Sequence, residues 1–434
     1  MTEMNKSFSL LFSDPSEPHP YLYDEKTVAF AGGIPAEDPF LKSELEDLLR
    51  RKTTRKDVAF RKEILEDLLQ TPSLLTKLET IQRRWEDLSR MAQREKTVEY
   101  TAETTPETVL SALKDDAVCL MEHLRFLKRA SEELNSEQPT SQGLFRLQEW
   151  FRRCAQSETL KALTEEISSY PLLTEDNLRA VLHVNLDGNG SWTETDVAFL
   201  GMDTNKYLRK NPPKKDDLSA ELPLADFTER TTAAICRLTK EFGTLTREIR
   251  SAVAPLGEGL RFYQFALSLI DWATERNVPW QFATPTSSHG PMGKELRNPA
   301  EKTDGIARPT ETVTAKILEV YRGDSGVVTL QTVARTQLYA AASLPIFGKE
   351  VFFCPEETLL LYSSEEKTVD NEIEALAAVF HQTKKQNIVL LDRPLITVGT
   401  APAAEIIGNL LRAFHKKGAC VRINTDLLSS GGSL

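Results

Sequence analysis

Apolar residues fall at Leu74, Leu78, Ile81, Trp85 and Leu88, in alternating steps of four and three. That spacing makes one stripe along a helix, and Thr71-Pro72 supplies its start, with proline at the first helical position. Similar stripes run through Val58, Ile64, Leu65, Leu68 and Leu69, through Val109, Leu113, Leu120, Leu124 and Leu127 after Thr105-Pro106, and through Leu144, Leu147, Trp150 and Phe151. Amphipathic helices in series predict a helical core over 1–170.

The period then changes. Apolar and polar residues alternate from Leu182 to Leu186, Asp187-Gly188-Asn189-Gly190 marks a tight turn, and Trp192 to Leu200 can return as a second strand. Asn205 to Pro223 is rich in Lys, Asp and Pro and reads as an exposed linker, so 171–225 is a small β-hairpin insertion with its linker. Ile235, Leu238, Phe242, Leu245, Ile249 and Val253 form a nearly heptad stripe that Pro255 and Gly257 end, and a more apolar helix covers Leu260 to Arg276. Residues 226–285 therefore read as long helices, and 286–312 as a loop linker.

From 313 to 434 strand and helix alternate. The reading is strand Val313–Tyr321, a glycine-containing turn, helix Thr329–Ala342, strand Glu350–Phe353, helix Asp370–Thr383, strand Ile388–Leu391, helix Ala401–His415 and strand Cys420–Ile423. That order predicts an α/β domain, so the fold class is multidomain α plus α/β.

Composition narrows the function. Five dispersed cysteines without a CxxC pair read as reduced thiols, and the N-terminus has no basic segment followed by a long apolar run. Both point to a cytoplasmic protein with no membrane association. A net charge of −11 argues against broad binding to phosphate backbones, so DNA affinity is expected to be weak and unspecific. Arg209, Lys210, Lys214 and Lys215 read as a solvated loop, and His415-Lys416-Lys417 as compensation of a helix dipole.

Two places suggest nucleotide chemistry. Asn387 to Asp392 is a short apolar strand ending in a carboxylate, as in hydrolases that hold magnesium there. Gly323, Gly326 and Thr329 lie between a strand and a helix, where a phosphate loop belongs. Val327 and Val328 stand where a lysine is needed, and Arg393, always protonated, stands where a catalytic glutamate is needed. The catalytic set is thus empty, and the ATP and magnesium site (Gly323, Gly326, Thr329, Asp392) reads as vestigial.

The order of these segments resembles the MutS family of DNA mismatch-repair ATPases. Leu330-Gln331-Thr332-Val333-Ala334 is similar to the end of that family's phosphate-loop stretch, and Gly348 to Pro355 to the segment after it. Lys367-Thr368-Val369-Asp370-Asn371-Glu372 matches the Thr and Glu of its Ser-Thr-Phe-x-x-Glu motif. Asn387 to Asp392 with Gly399-Thr400 matches its Leu-Asp-Glu strand, and Thr425-Asp426 its closing Thr-His without the histidine. Asp57 to Leu69 resembles its core segment; the mismatch-reading domain is absent.

The resemblance implies a short, degenerate member: helical core and levers followed by a P-loop ATPase-like domain. It also implies a homodimer, or a heterodimer with an intact relative, with Thr332, Lys367, Thr368 and Glu372 near the partner. No cofactor is expected beyond weak ATP and magnesium binding; a weak ATP-dependent DNA-binding protein is one alternative, and a helical protein-binding scaffold with no nucleotide role is another. A separate metal reading concerns Asn185, Asp187, Asn189 and Asp196, spaced like a calcium loop with Gly190 at position six; the plain Asp-Gly hairpin is its rival.

Overall fold

A computed structural model describes residues 8–92, 105–174, 177–186, 192–203, 208–210, 218–222, 229–287, 290–297, 311–314, 318–364, 368–396, 398 and 400–427. The architecture is α plus α/β. Two compact units cut across the linear order: residues 1–8, 71–140 and 144–257 form one, and residues 9–70, 141–143 and 258–434 form the other. The early helices α1 (Glu25–Phe30), α2 (Pro39–Arg50) and α3 (Arg55–Gln70) thus belong with the α/β segment.

In the first unit, α4 (Pro72–Ala92) and α5 (Pro106–Leu134) pack together through the predicted stripes, with Leu78, Ile81, Leu113 and Leu120 buried. Both begin at the prolines that mark them in the sequence. After α6 (Gln142–Gln156) and α7 (Glu158–Ile167), strands β1 (Arg179–Leu186) and β2 (Trp192–Gly201) form the expected antiparallel hairpin. Its Asp187–Gly190 turn lies outside the described residues. A third strand, β3 (Leu218–Leu222), pairs with the other side of β1, inside the stretch the sequence reads as linker. Leu-Ser-Ala-Glu-Leu offers only five alternating residues, too few to stand out beside Lys-, Asp- and Pro-rich neighbours.

Helix α8 (Glu229–Glu275) runs through Pro255, where the sequence reading ends it. A proline inside a helix costs roughly 3 kcal/mol. The residues beyond it repay continuation, because Leu256, Leu260, Phe262, Tyr263 and Ala266 are at most 1% exposed, and each large side chain buried contributes about 1.5–3 kcal/mol.

The second unit holds short strands β4 (Trp280–Gln281), β5 (Thr284–Pro285), β6 (Met292–Leu296) and β7 (Glu311–Val313), then β8 (Leu318–Tyr321) and α9 (Gly323–Ala342). Next come β9 (Ile346–Phe347), β10 (Lys349–Phe353), β11 (Thr358–Ser363), α10 (Val369–Gln382), β12 (Asn387–Asp392), α11 (Thr400–Lys417) and β13 (Cys420–Asn424). The main sheet is parallel throughout, in the order β11-β12-β13-β8. Helix α9 packs on one face, while α10 and α11 close the other over Val389, Leu391, Val421 and Ile423. All six residues of β12 are buried, as a central parallel strand requires.

Three expectations change here. Strand β10 is not in the main sheet but pairs with β5 and β6. The main sheet takes β11 instead, a Leu-rich run the sequence reading passes over. The 286–312 loop contains β6 and part of β7, whose hydrogen bonds to neighbours outweigh their glycine and proline content.

Helix α3 anchors the chain's beginning. Thr54 and Asp57 form a capping box: the Asp57 N–H donates to Thr54 Oγ1 at 3.2 Å, and the Thr54 N–H donates to Asp57 Oδ2 at 2.9 Å. Asp57 Oδ1 also accepts from the backbone and hydroxyl of Ser13, both at 2.9 Å. Next to it Arg61, fully buried, donates to Leu11 O at 2.8 Å and to Ala341 O at 2.7 Å. That guanidinium therefore ties the first segment to the carbonyl end of α9, where the helix dipole favours a cation.

Two stability outcomes are expected. Arg61→Ala leaves two inward carbonyls without their donor and a void, so unfolding free energy in urea should fall by about 3 kcal/mol. Burial raises the Asp57 carboxyl's affinity for protons, but its hydrogen bonds from Ser13 and Thr54 overcome this and hold it below the usual carboxylate range. A lowered folded value contributes stability that is present above the unfolded value and is lost as pH falls through the folded one. Urea titrations should show wild-type stability dropping below about pH 4. Asp57→Asn should be weaker by about 1–3 kcal/mol at neutral pH, with a shallower acid limb.

Candidate functional site

Parallel strands gather their loops at one edge, and ligands of such sheets bind outside the carboxyl ends. The register places Ser363, Asp392, Asn424 and Tyr321 in one row across that edge, from β11 to β8. Three of the positions read from the sequence meet here: Asp392 ends β12, and Gly323 and Gly326 open α9.

The phosphate loop is not formed. Tyr321 ends the strand and Gly323 begins the helix, so Arg322 alone joins them. Residues Gly323 to Thr329, expected as a turn, are the first two turns of α9, and the Gly326 N–H already donates to Arg322 O at 3.2 Å. Gly323 makes the abrupt reversal with φ +60°, a left-handed value that disfavours other residues. Asp324 then places a carboxylate in the first turn, where the dipole welcomes it. Thr329 turns its hydroxyl back on its own helix, donating to Ser325 O at 2.9 Å. A phosphate cradle needs several successive backbone N–H groups curled around an anion, and one linking residue cannot curl.

The space between this helix and Asp392 is taken by Asn424, which is fully buried. Its Nδ2 donates to Asp392 Oδ1 at 3.0 Å. Its Oδ1 lies 2.2 Å from where a Cβ on Gly326 would stand, so only glycine fits at 326. Asp392 itself is 2% exposed, and the Arg393 Nε lies 3.5 Å from the same Oδ1. Arg393 and Leu395 both adopt left-handed backbone, φ +46° and +60°, with the Arg393 N–H bonded to Asn424 O at 2.8 Å. The one carboxylate is thus held by an amide and faced by a cation.

A second polar row lies one step into the sheet. Arg422, fully buried on β13, donates to Glu319 on β8, to Tyr321 Oη at 3.1 Å and to Thr314 O at 2.6 Å. Tyr321 also donates to Glu319, and burial raises its phenol above the ordinary range. Neither Asn424 nor Arg422 was singled out from sequence. Their signal was present: Cys420-Val421-Arg422-Ile423-Asn424 alternates, which reads as a half-exposed strand but here marks a polar buried face.

The positions expected near a partner are divided. Thr332 is buried and donates to Val328 O at 2.8 Å. Glu372 is buried, accepting from Tyr362 Oη at 2.8 Å and from the Ile396 N–H at 3.2 Å. It therefore braces β11 and the loop after β12. Thr368 is exposed and caps α10 through the Asn371 N–H, and Lys367 lies outside the described residues. Of the calcium-loop positions, Asn185 pairs with Glu194 and Asp196 with His183 in the backbone register of β1 and β2. Asp187 and Asn189 lie outside the described residues. No group of three or more His, Cys, Asp and Glu that could hold a metal occurs among the described residues, and no helix there is long and apolar enough to cross a membrane.

Comparison with models of known protein families finds no match, and no curated protein matches the chain either.

The contact between Gly326 and Asn424 can be measured. Gly326→Ala should cost about 1–3 kcal/mol by overpacking, more than Gly323→Ala, which meets open space and bears only about 1 kcal/mol of backbone strain. In an Asn424→Ala background the Gly326→Ala cost should shrink, a coupling that a double-mutant cycle in urea reads directly.

Proposed function

We propose that this chain is a MutS-like pseudo-ATPase, a structural or regulatory subunit of a dimer in DNA repair or recombination. The observation that carries the reading is the filled carboxyl edge. A parallel sheet presents a terminal Asp where such an ATPase would hold magnesium, yet the loop before α9 is reduced to Arg322 and Asn424 occupies the intervening space. Hydrolysis needs phosphate held by backbone N–H groups, a balancing lysine and a group that orients water. Arg393 after Asp392 cannot be the base, and its guanidinium faces the carboxylate instead.

Retained packing supports a use for this domain beyond catalysis. Helix α9 and strand β12 keep dense cores while the catalytic side chains are missing. Around the edge, Val369, Ile373 and Ile396 remain exposed apolar side chains near the start of α10, where the family resemblance expects a partner. A stable dimer there would bury at least about 1,000 Å².

Purified protein is expected to give no ATP turnover above background in a coupled assay. Light scattering over a concentration series, alone and with a co-encoded MutS-like ATPase, is expected to reveal a dimer. Hydrolysis abolished by Asp392→Asn, or a monomer under all these conditions, would end the proposal.

A further inference from the structure

The amino edge of the main sheet, opposite the filled site, carries a different feature. Helices α10 and α11 end there, with the 383–386 loop between α10 and β12. No Asp or Glu occurs from 375 to 391 or from 406 to 425, although the whole chain has a net charge of −11. Within those stretches Lys384, Lys385, Arg412, His415 and Lys416 are exposed.

The two segments are in contact. Lys417 Nζ donates to Thr383 O at 3.4 Å and lies 3.9 Å from the Phe380 ring centre, and Phe380 packs on Phe414 at 5.3 Å. The Lys385 stem lies 3.2 Å from where a Cβ on Gly418 would stand. Their cations therefore share one surface. The carboxylates that precede β11 at this edge are committed elsewhere: Glu356 to Arg55, and Glu357 to the Gly290 N–H at 3.0 Å. Among the described residues, Lys384, Lys385, Arg412 and Lys416 make no ion pair.

Helix dipoles account for only part of this set. His415, Lys416 and Lys417 stand in the last turn of α11, where each compensates the dipole, but Arg412 precedes that turn and Lys384 and Lys385 lie beyond the end of α10. Neutralising phosphates with clustered Lys and Arg releases counterions, which is the source of salt-dependent nucleic-acid affinity. The one large apolar side chain exposed in these segments, Ile406, lies ten residues before Lys416, about 15 Å along α11, and no Phe, Tyr or Trp is exposed there, so the basic surface offers no apolar cluster to insert into a bilayer and no such ring on which an unpaired base could stack. We propose that this basic edge binds the phosphate backbone of duplex nucleic acid, without reading sequence.

Fluorescence anisotropy of the full chain with a labelled random-sequence DNA duplex tests this. With three phosphates neutralised, affinity should fall about 40-fold between about 50 and 200 mM salt. The Lys384→Gln, Lys385→Gln, Lys416→Gln triple variant should lose at least about tenfold at the lower salt and flatten the slope. If that variant melts earlier than wild type, Arg412→Gln alone, on the helix face, should still weaken binding. Absence of binding at low salt, affinity unchanged by these variants, or equal binding to phosphatidylserine vesicles with none to duplex would each overturn the proposal.

Discussion

The second unit depends on one helix being buried on nearly every side. Helix α9 touches the main sheet on one flank and α1, α2 and α3 on others, so thirteen of its residues are buried, five of them Thr, Arg or Gln. A polar group taken from water without a partner costs roughly 1–3 kcal/mol. The helix survives because its polar side chains find fixed acceptors. Arg335 donates to Ala31 O at 2.8 Å, and Gln337 donates to Cys354 O at 2.9 Å. Thr336 bonds back to Thr332 O. Each such bond also specifies where a distant segment must lie. Arg335 leaves so little room that an added Cβ on Gly32 would stand 2.7 Å from its Nη2.

That arrangement explains why residues 9–70 pack with 258–434, which no periodic pattern could reveal. Helical spacing identifies the apolar face of α3, but it does not say which neighbour covers that face. The decisive groups are single polar residues, Arg61 and Asp57, that look like ordinary surface charge on a charged helix. Helix starts were legible because proline and its preceding Thr act locally. The β-hairpin was legible for the same reason. Strands β3 and β11, by contrast, are short runs whose identity comes from partners far along the chain, and Pro255 sits in a helix that tertiary burial carries past it.

The site was legible in part. Asp392 at a strand end and glycines at a helix start follow from local pattern, and the missing lysine and glutamate from inspection. The length of the turn did not. Seven residues with two glycines read as a loop, yet Asp324 and Ser325 suit a first helical turn, and Gly326 is required by Asn424 rather than by a phosphate.

The geometry at Asp392 also fixes the loop that follows it. Two non-glycine left-handed residues, Arg393 and Leu395, flank Pro394 and carry strain of order 1 kcal/mol each. Such strain lasts only where surrounding bonds over-determine the backbone. Here the Arg393 N–H is held by Asn424 O, the Ile396 N–H by Glu372, and Leu395 is fully buried in the core beneath α10 and α11. Glu372 and Asn424 thus act as braces on the loop after β12. A loop braced from two sides presents Ile396 in a defined position beside α10. That fixed position is what the proposed dimer surface would need, since a side chain already held in place loses less freedom on binding.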